Sequence, residues 1–77
     1  MDRWQETDEG LMREFKFEDF KSALEFVNRI GGLAEKANHH PDVTFGWGYA
    51  KVAIKTHSEG KIAEKDRNLA ARINQVI

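Results

Sequence analysis

The sequence predicts an α+β fold in two layers, with an antiparallel four-stranded sheet and two helices packed on one of its faces. Three observations lead to this prediction. Two stretches alternate apolar and polar residues at strand spacing, two others carry apolar residues at helical spacing, and the strands come in adjacent pairs before each helix. The predicted order is β-β-α-β-β-α, which favours antiparallel pairing and a two-layer arrangement.

The first strand pair is predicted within residues 1–17. A short strand ends near Gly10, and the next stretch places Leu11, Phe15 and Phe17 on one face of a half-buried strand. Arg13 is the imperfect position, because it shares the parity of these apolar residues.

The first helix is predicted to begin at Glu18, where the helix dipole favours acidic groups, and to run for about five turns. It should end before Asn38-His39-His40-Pro41, since proline disfavours a preceding helical residue. Gly31-Gly32 inside it predicts close packing against the sheet or a subunit, or a local bend, because each glycine costs about 1 kcal/mol relative to alanine. Its apolar face comprises Phe20, Ala23, Leu24, Phe26, Val27, Ile30, Leu33 and Ala37.

Two stretches rich in β-branched and aromatic residues, Val43 to Trp47 and Lys51 to Thr56, predict the second strand pair. The apolar parity slips between them, which indicates a hairpin turning near Gly48-Tyr49-Ala50; one long strand with a bulge is the alternative. The last helix is predicted from the apolar stripe Ile62, Leu69, Ala70, Ile73, Val76 and Ile77.

Length and composition predict one domain over residues 1–77, which buries only about 60% of its unfolded surface. The chain has no cysteine and cannot be cross-linked by disulfides, so assembly into oligomers is the expected supplement. Twelve Lys+Arg and thirteen Asp+Glu are interleaved, which leaves no basic stripe for direct nucleic-acid binding.

We expect a cytoplasmic protein without a membrane segment, because no apolar run approaches about 18 residues and the N-terminus is acidic. The lack of cysteine also removes thiolate nucleophiles, cysteine-ligated zinc sites and redox pairs.

All three histidines fall at the ends of predicted elements: His39 and His40 after the first helix, and His57 at the end of the last strand. Loop ends on a rigid frame are where sites are usually built. Three imidazoles could supply a general acid, a general base and a binding donor without a cofactor. They could also bind zinc, but no close ligand spacing beyond the adjacent pair is visible, so no metal site is expected.

A longer pattern connects these histidines to two carboxylates. It consists of Glu35, three residues, His39-His40-Pro41, five residues, Trp47, nine residues, His57, eight residues and Asp66. With its flanks, such as Phe15-Lys16-Phe17 and Thr56-His57, it resembles the pterin-4a-carbinolamine dehydratase family. The likeness extends from about Trp4 to the C-terminus.

The resemblance implies dehydration of 4a-hydroxytetrahydropterin (4a-hydroxytetrahydrobiopterin) to quinonoid dihydropterin and water, a lyase reaction in tetrahydrobiopterin recycling. It implies that His39 and His57 are the proton-transfer pair and that His40 is mainly a substrate-binding group in the catalytic site. Which histidine acts as acid is left open, and no metal or redox cofactor is implied. The implied substrate-binding positions are His40, Pro41, Trp47, Thr56, Glu35 and Asp66.

Each supporting position also has a structural interpretation. Glu35 could hydrogen-bond a histidine or be a solvated helix residue. Asp66 could orient His57 or the substrate, or could lie in the first turn of the last helix, where the helix dipole favours a carboxylate. Trp47 could be a pocket wall, although a strand aromatic is more often core. Thr56 could offer backbone groups to the pterin or be an ordinary strand residue.

The chain departs from the family pattern in three places. We expect it to lack the helix that commonly precedes the tryptophan represented by Trp4. Ala63 has no hydroxyl to cap the last helix, a loss of about 1 kcal/mol for which Ser58 or another loop residue could compensate. Val43 stands where some members have a larger aromatic residue.

The resemblance further implies a homodimer or homotetramer. It also leaves an alternative function: a non-catalytic binding or assembly protein on the same fold, either a dimerisation cofactor of homeodomain transcription factors or a Rubisco assembly factor. Retention of all three histidines favours catalysis, because a pure scaffold has no physical need for converging imidazoles.

Overall fold

The computed structural model describes residues 3–56 and 61–76. These residues form a four-stranded antiparallel sheet of order β1-β2-β4-β3 with two helices, which confirms the predicted α+β class. The elements follow the predicted order: β1 (Gln5–Thr7), β2 (Gly10–Lys16), α1 (Phe20–Ala37), β3 (Asp42–Gly46), β4 (Tyr49–Ile54) and α2 (Glu64–Asn74).

The core lies between the sheet and the helices, and its centre is the pairing of β2 with β4. Leu11 lies opposite Ile54 and Phe15 opposite Ala50, and all four are buried. The two helices complete this core with buried residues at helical spacing, among them Phe26, Ile30, Leu69 and Ile73.

Arg13, the residue that breaks the alternation of β2, lies at the margin of this core and contacts both the sheet and the end of α2. Its guanidinium lies 4.2 Å from the ring centroid of Phe15. It also donates to the side-chain oxygen of Asn74 at 2.6 Å, and the indole of Trp4 donates to the same oxygen at 2.8 Å. A charged residue is tolerated at this position because it joins the sheet to the end of α2.

The two ends of α1 are fixed by local hydrogen bonds. Asp19 is the N-cap, and its carboxylate accepts from the backbone N–H of Ser22 at 2.8 Å. At the other end Asn38 has a left-handed conformation, with φ of 50°. The N–H of His39 then donates to the carbonyl of Ala34 at 3.1 Å, so His39 leaves the helix on a defined path.

Gly31 and Gly32 do not pack against the sheet, so that prediction is wrong. Both are exposed, and a Cβ atom built at either position would meet nothing within 4 Å. The helix runs through them without interruption from Phe20 to Ala37. Packing of these glycines against a second subunit stays a prediction.

The β3–β4 hairpin is confirmed, and the alternative of one bulged strand is wrong. Its turn consists of Trp47 and Gly48, one residue earlier than predicted, because Gly46 pairs with Tyr49. Gly48 has a φ of 83°, which glycine adopts without steric cost. Its carbonyl accepts from the N–H of Phe17 at 2.9 Å, which ties the turn to the end of β2.

We expect Gly32→Ala to increase the free energy of unfolding by about 0.5–1 kcal/mol, because alanine lowers the entropy of the unfolded chain and its methyl group has open space. Urea unfolding followed by circular dichroism measures this. Gly10→Ala is the opposite control, since Gly10 has a φ of 103° and a Cβ there would lie 2.2 Å from the carbonyl oxygen of Ile54. A loss of stability in Gly32→Ala would contradict the open position seen here.

Candidate active site

Three elements meet at one buried carboxylate. His39 follows α1, Thr56 follows β4, and Asp66 lies in the first turn of α2. Nε2 of His39 is paired with Oδ1 of Asp66 across 27 residues of sequence. The side chain of Asp66 is completely buried, whereas that of His39 is 11% exposed. The pair therefore has an inner, charged side and an outer side that reaches the surface.

The second carboxylate oxygen of Asp66 is also occupied. The hydroxyl of Thr56, itself buried, donates to Oδ2 at 2.8 Å. The backbone N–H of Ala63 donates to the same oxygen at 2.7 Å. A buried carboxylate needs such partners, because an unpaired charge in the interior is very costly.

Local helix geometry places Asp66 at this point. Ala63 is the N-cap of α2, and a carboxylate three residues later can reach back to the N-cap N–H, which is one half of a capping box. Ala63 has no hydroxyl for the other half. The capping loss predicted at Ala63 is thus partly offset by Asp66, while Ser58 lies outside the described residues.

Burial by itself raises the pKa of Asp66, but hydrogen bonds from Ala63, His39 and Thr56 outweigh it and lower that pKa below its usual value. Asp66 is therefore ionised at neutral pH and can only accept hydrogen bonds. It follows that Nε2 of His39 carries the hydrogen in this pair, so that Nδ1 is the proton-free nitrogen of the neutral ring.

Nδ1 of His39 is open to solvent. In the described parts of the chain, every buried side-chain nitrogen or oxygen has a hydrogen-bond partner. The ring of His39 bonds through Nε2, and the structure shows no partner for Nδ1 among these residues. Because every buried nitrogen has a partner and Nδ1 has none, Nδ1 is not buried. It is therefore the ring nitrogen that a small molecule would contact.

His40 and Glu35 form a second imidazole–carboxylate pair with a different environment. Their Nε2 and Oε2 atoms are 2.6 Å apart, so Glu35 does hydrogen-bond a histidine, and both side chains are also solvated, at 55% and 78% exposure. Such an exposed pair contributes little to stability. His40 and the half-buried Pro41 thus form the outer edge of the site beside His39.

Trp47 lies far from His39 and His40 of its own chain. It is at the tip of the β3–β4 hairpin and is 73% exposed, so the core interpretation is wrong. β3 separates it from Pro41 by roughly 20 Å, at about 3.3 Å per residue. His57, the third predicted histidine, lies outside the described residues.

The sequence did not indicate the Thr56 hydroxyl or the pairing of Asp66 with His39. The spacing from Ala63 to Asp66 was the available signal, because it is the spacing of a capping carboxylate.

Among residues 3–56 and 61–76, no three His, Asp or Glu side chains are grouped as a metal site requires. No helix in these residues is long and apolar enough to cross a membrane.

Comparison with known sequences finds one family over almost the whole chain. The family described as "Pterin 4 alpha carbinolamine dehydratase" matches residues 1–76. A Rubrobacter xylanophilus protein named "Putative pterin-4-alpha-carbinolamine dehydratase" is 46% identical over 74 residues, 95% of this chain and 69% of that protein. A Paracoccus denitrificans protein of the same name is 42% identical over 73 residues, 92% of this chain and 68% of that protein.

Two solved structures share the fold. The crystal structure of a transcriptional coactivator/pterin dehydratase from Brucella melitensis has a TM-score of 0.91 and 36% identity, covering 99% of this chain and 83% of its own. A pterin dehydratase-like protein identified as a RuBisCO assembly factor in the alpha-carboxysome has a TM-score of 0.76 and 24% identity, covering 95% and 84%. At that identity the second likeness shows the fold alone.

We expect Asp66→Asn to lower the free energy of unfolding by about 3 kcal/mol, because it removes a buried charge that three donors surround. Glu35→Gln is the matched control at the exposed pair and should change it by less than about 1 kcal/mol. Urea unfolding at pH 7 measures both; equal losses would contradict the distinction drawn between the two pairs.

The lowered pKa of Asp66 also predicts how the free energy of unfolding changes with pH. The pKa of Asp66 is lowered by folding, so its stabilisation is complete above the unfolded value of about 3.9 and is lost as pH falls through the folded value. Wild-type stability should therefore decrease more steeply than that of Asp66→Asn as the pH is lowered below about 4. Parallel decreases would contradict a lowered pKa.

Proposed function

This chain belongs to the pterin 4 alpha carbinolamine dehydratase family, and we propose that it converts a 4a-hydroxytetrahydropterin into quinonoid dihydropterin and water. The observation that carries the proposal is His39, held by the buried Asp66 with Nδ1 open to solvent. A tetrahydrobiopterin-type substrate, and a carbon–oxygen lyase reaction without metal or redox cofactor, are part of the proposal.

The proposed reaction is an acid–base elimination. The proton on N5 of the pterin goes to a base, the N5–H electron pair forms the N5–C4a double bond, and the C4a–oxygen bond breaks. The leaving oxygen takes a proton from an acid and departs as water. Imidazole and imidazolium suit both steps because they exchange protons near neutral pH.

His39 is assigned as the base. Nδ1 takes the N5 proton, and the ring becomes an imidazolium whose charge the ionised Asp66 stabilises through Nε2. His57, outside the described residues, is assigned as the acid. His40 is assigned to substrate binding with Glu35 and Pro41, since its pair is exposed and less firmly held.

A second candidate function is binding to a protein partner without turnover. The relative from Brucella melitensis, 36% identical over 99% of this chain, is described as a transcriptional coactivator as well as a pterin dehydratase. A scaffold needs the fold but not the proton-free Nδ1 of His39, so turnover decides between the two functions.

We also propose that the chain forms a homodimer through β3. Within the described residues β3 pairs only with β4, so its outer edge offers unpaired backbone groups. If two copies pair along all five residues about a two-fold axis, Thr44 lies opposite its own copy and Val43 opposite Phe45 of the partner subunit. This apolar pairing extends the sheet without opposing like charges.

The same register gives Trp47 a function in the site. Opposite Trp47 it places Pro41 of the partner subunit, directly after the partner subunit's His40. The exposed indole would thereby cover the partner's site, and the 20 Å separation within one chain would no longer exclude Trp47 from pterin binding. A homotetramer would need a further interface.

Turnover tests the main proposal. Purified protein should accelerate the dehydration of freshly generated 4a-hydroxytetrahydropterin, followed by ultraviolet absorbance, and His39→Ala should reduce the catalysed rate by about 10²–10⁴-fold because the base is lost. The control is Asn28→Ala on the exposed face of α1. No acceleration by folded wild type, or an undiminished rate in folded His39→Ala, would contradict the assignment and favour the scaffold.

Mixed dimers test the contribution of Trp47. His39→Ala and Trp47→Ala are each expected to be impaired as homodimers. After the two variants are refolded together, half of the dimers are mixed and each has one intact site, so activity should recover to about a quarter of wild type. Activity no greater than the average of the separate variants would contradict a residue shared between subunits.

A further inference from the structure

We infer that Thr56 is a positioning residue, whose hydroxyl holds the Asp66 carboxylate in one orientation and thereby keeps neutral His39 in the tautomer with hydrogen on Nε2. The catalytic consequence rests on the proposed function, because only then is Nδ1 the atom that takes the substrate proton. The tautomer itself can be measured without any substrate.

Both oxygens of the Asp66 carboxylate are occupied. Oδ2 accepts from the Thr56 hydroxyl at 2.8 Å and from the Ala63 N–H at 2.7 Å, which leaves Oδ1 for His39. The two donors together fill the acceptor sites of Oδ2. With the Ala63 N–H alone, Oδ2 would keep room for a second donor and the carboxylate could turn.

The hydrogen bond between Thr56 and Asp66 is buried. Thr56 is 2% exposed and Asp66 is completely buried, so bulk water has no direct access to replace a lost hydroxyl. An ionised carboxylate can only accept, and the Thr56 hydroxyl is therefore the donor in this bond. Removing it leaves a buried anion one hydrogen bond short and free to turn, so that Oδ1 no longer keeps one position relative to the His39 N–H.

The position of Thr56 in the chain connects it to both ends of the proposed proton transfer. It follows β4 and forms an isolated antiparallel bridge with Lys61. It is also the residue directly before His57 in the sequence. Its side chain is thus tied to the partner of His39, while its backbone leads to the residue assigned as the acid, so one residue links the two members of the proposed proton-transfer pair.

Long-range ¹H–¹⁵N spectra of labelled protein report the tautomer of each histidine ring. In wild type at a pH where the rings are neutral, His39 should populate the Nε2–H form. Thr56→Val keeps the branched shape without the hydroxyl. If wild type prefers the Nε2–H form by about a hundredfold, we expect the variant to lower this ratio by about tenfold, so that the Nδ1–H form reaches about a tenth of the population. Thr56→Ser retains the hydroxyl and should restore the wild-type spectrum.

Kinetics give the second readout. Thr56→Val should lower kcat by about 10-fold to 100-fold, as loss of an outer hydrogen-bond partner commonly does, and Thr56→Ser should recover most of it. Asn28→Ala, on the exposed face of α1, is the control and should leave the tautomer and kcat unchanged. An unchanged tautomer and kcat in folded Thr56→Val would overturn the proposal.

The two proposals fail in distinguishable ways. If wild type has no turnover but Thr56→Val shifts the tautomer, Thr56 positions His39 and the dehydratase assignment is wrong. If wild type turns over and Thr56→Val keeps the Nε2–H form, the positioning role is wrong. Should Thr56→Val fail to fold, the wild-type Thr56 hydroxyl proton decides: it should exchange slowly with solvent, and exchange at the rate of a free hydroxyl would overturn the proposal.

Discussion

The buried carboxylate of Asp66 is the interaction on which the rest of the site depends. A charge with no solvent exposure is stable in a protein only where donors surround it, and here they come from the chain after α1, the end of β4 and the residue before α2. Satisfying this one group therefore requires three elements to converge. The histidine that it holds is positioned by the same requirement that stabilises the fold.

Two adjacent histidines gain different properties from this arrangement. His39 is paired with a buried carboxylate that is fixed by other donors, whereas His40 is paired with the solvated Glu35. A fixed ring with one proton-free nitrogen at the surface suits proton transfer, and a solvated ring suits recognition of a substrate. The different roles proposed for His39 and His40 thus rest on their different burial, although both histidines make the same kind of hydrogen bond.

The layered fold could be predicted because its signals are local. The alternation of Leu11 and Phe15 and the helical spacing of Phe26 and Ile30 report directly on the faces that are buried. Glycine was less informative: the cost of Gly31-Gly32 indicated a reason for glycine at that position, but the structure leaves both exposed. Burial habits also misled at Trp47, because a two-residue turn places it at the hairpin tip.

The partners within the site could not be predicted from spacing. Asp66 was expected to orient His57 or the substrate, or to lie in the first turn of the last helix, and its pairing with His39 depends on how α2 packs against the end of α1. The Thr56 hydroxyl was missed because threonine is ordinary in a strand. Motif spacing identified the residues, whereas tertiary packing determined which atoms of those residues meet.

The ionisation state of Asp66 most directly tests whether this carboxylate fixes the tautomer of His39. The carboxyl carbon shift of Asp66 in ¹³C-labelled protein, followed from neutral to acidic pH, reports its protonation in the folded state. We expect a pKa below the usual aspartate value of about 3.9, since the donors around the carboxylate outweigh its burial. A carboxyl group that is protonated at neutral pH would contradict it, because Asp66 would then be able to donate and would no longer define the tautomer of His39.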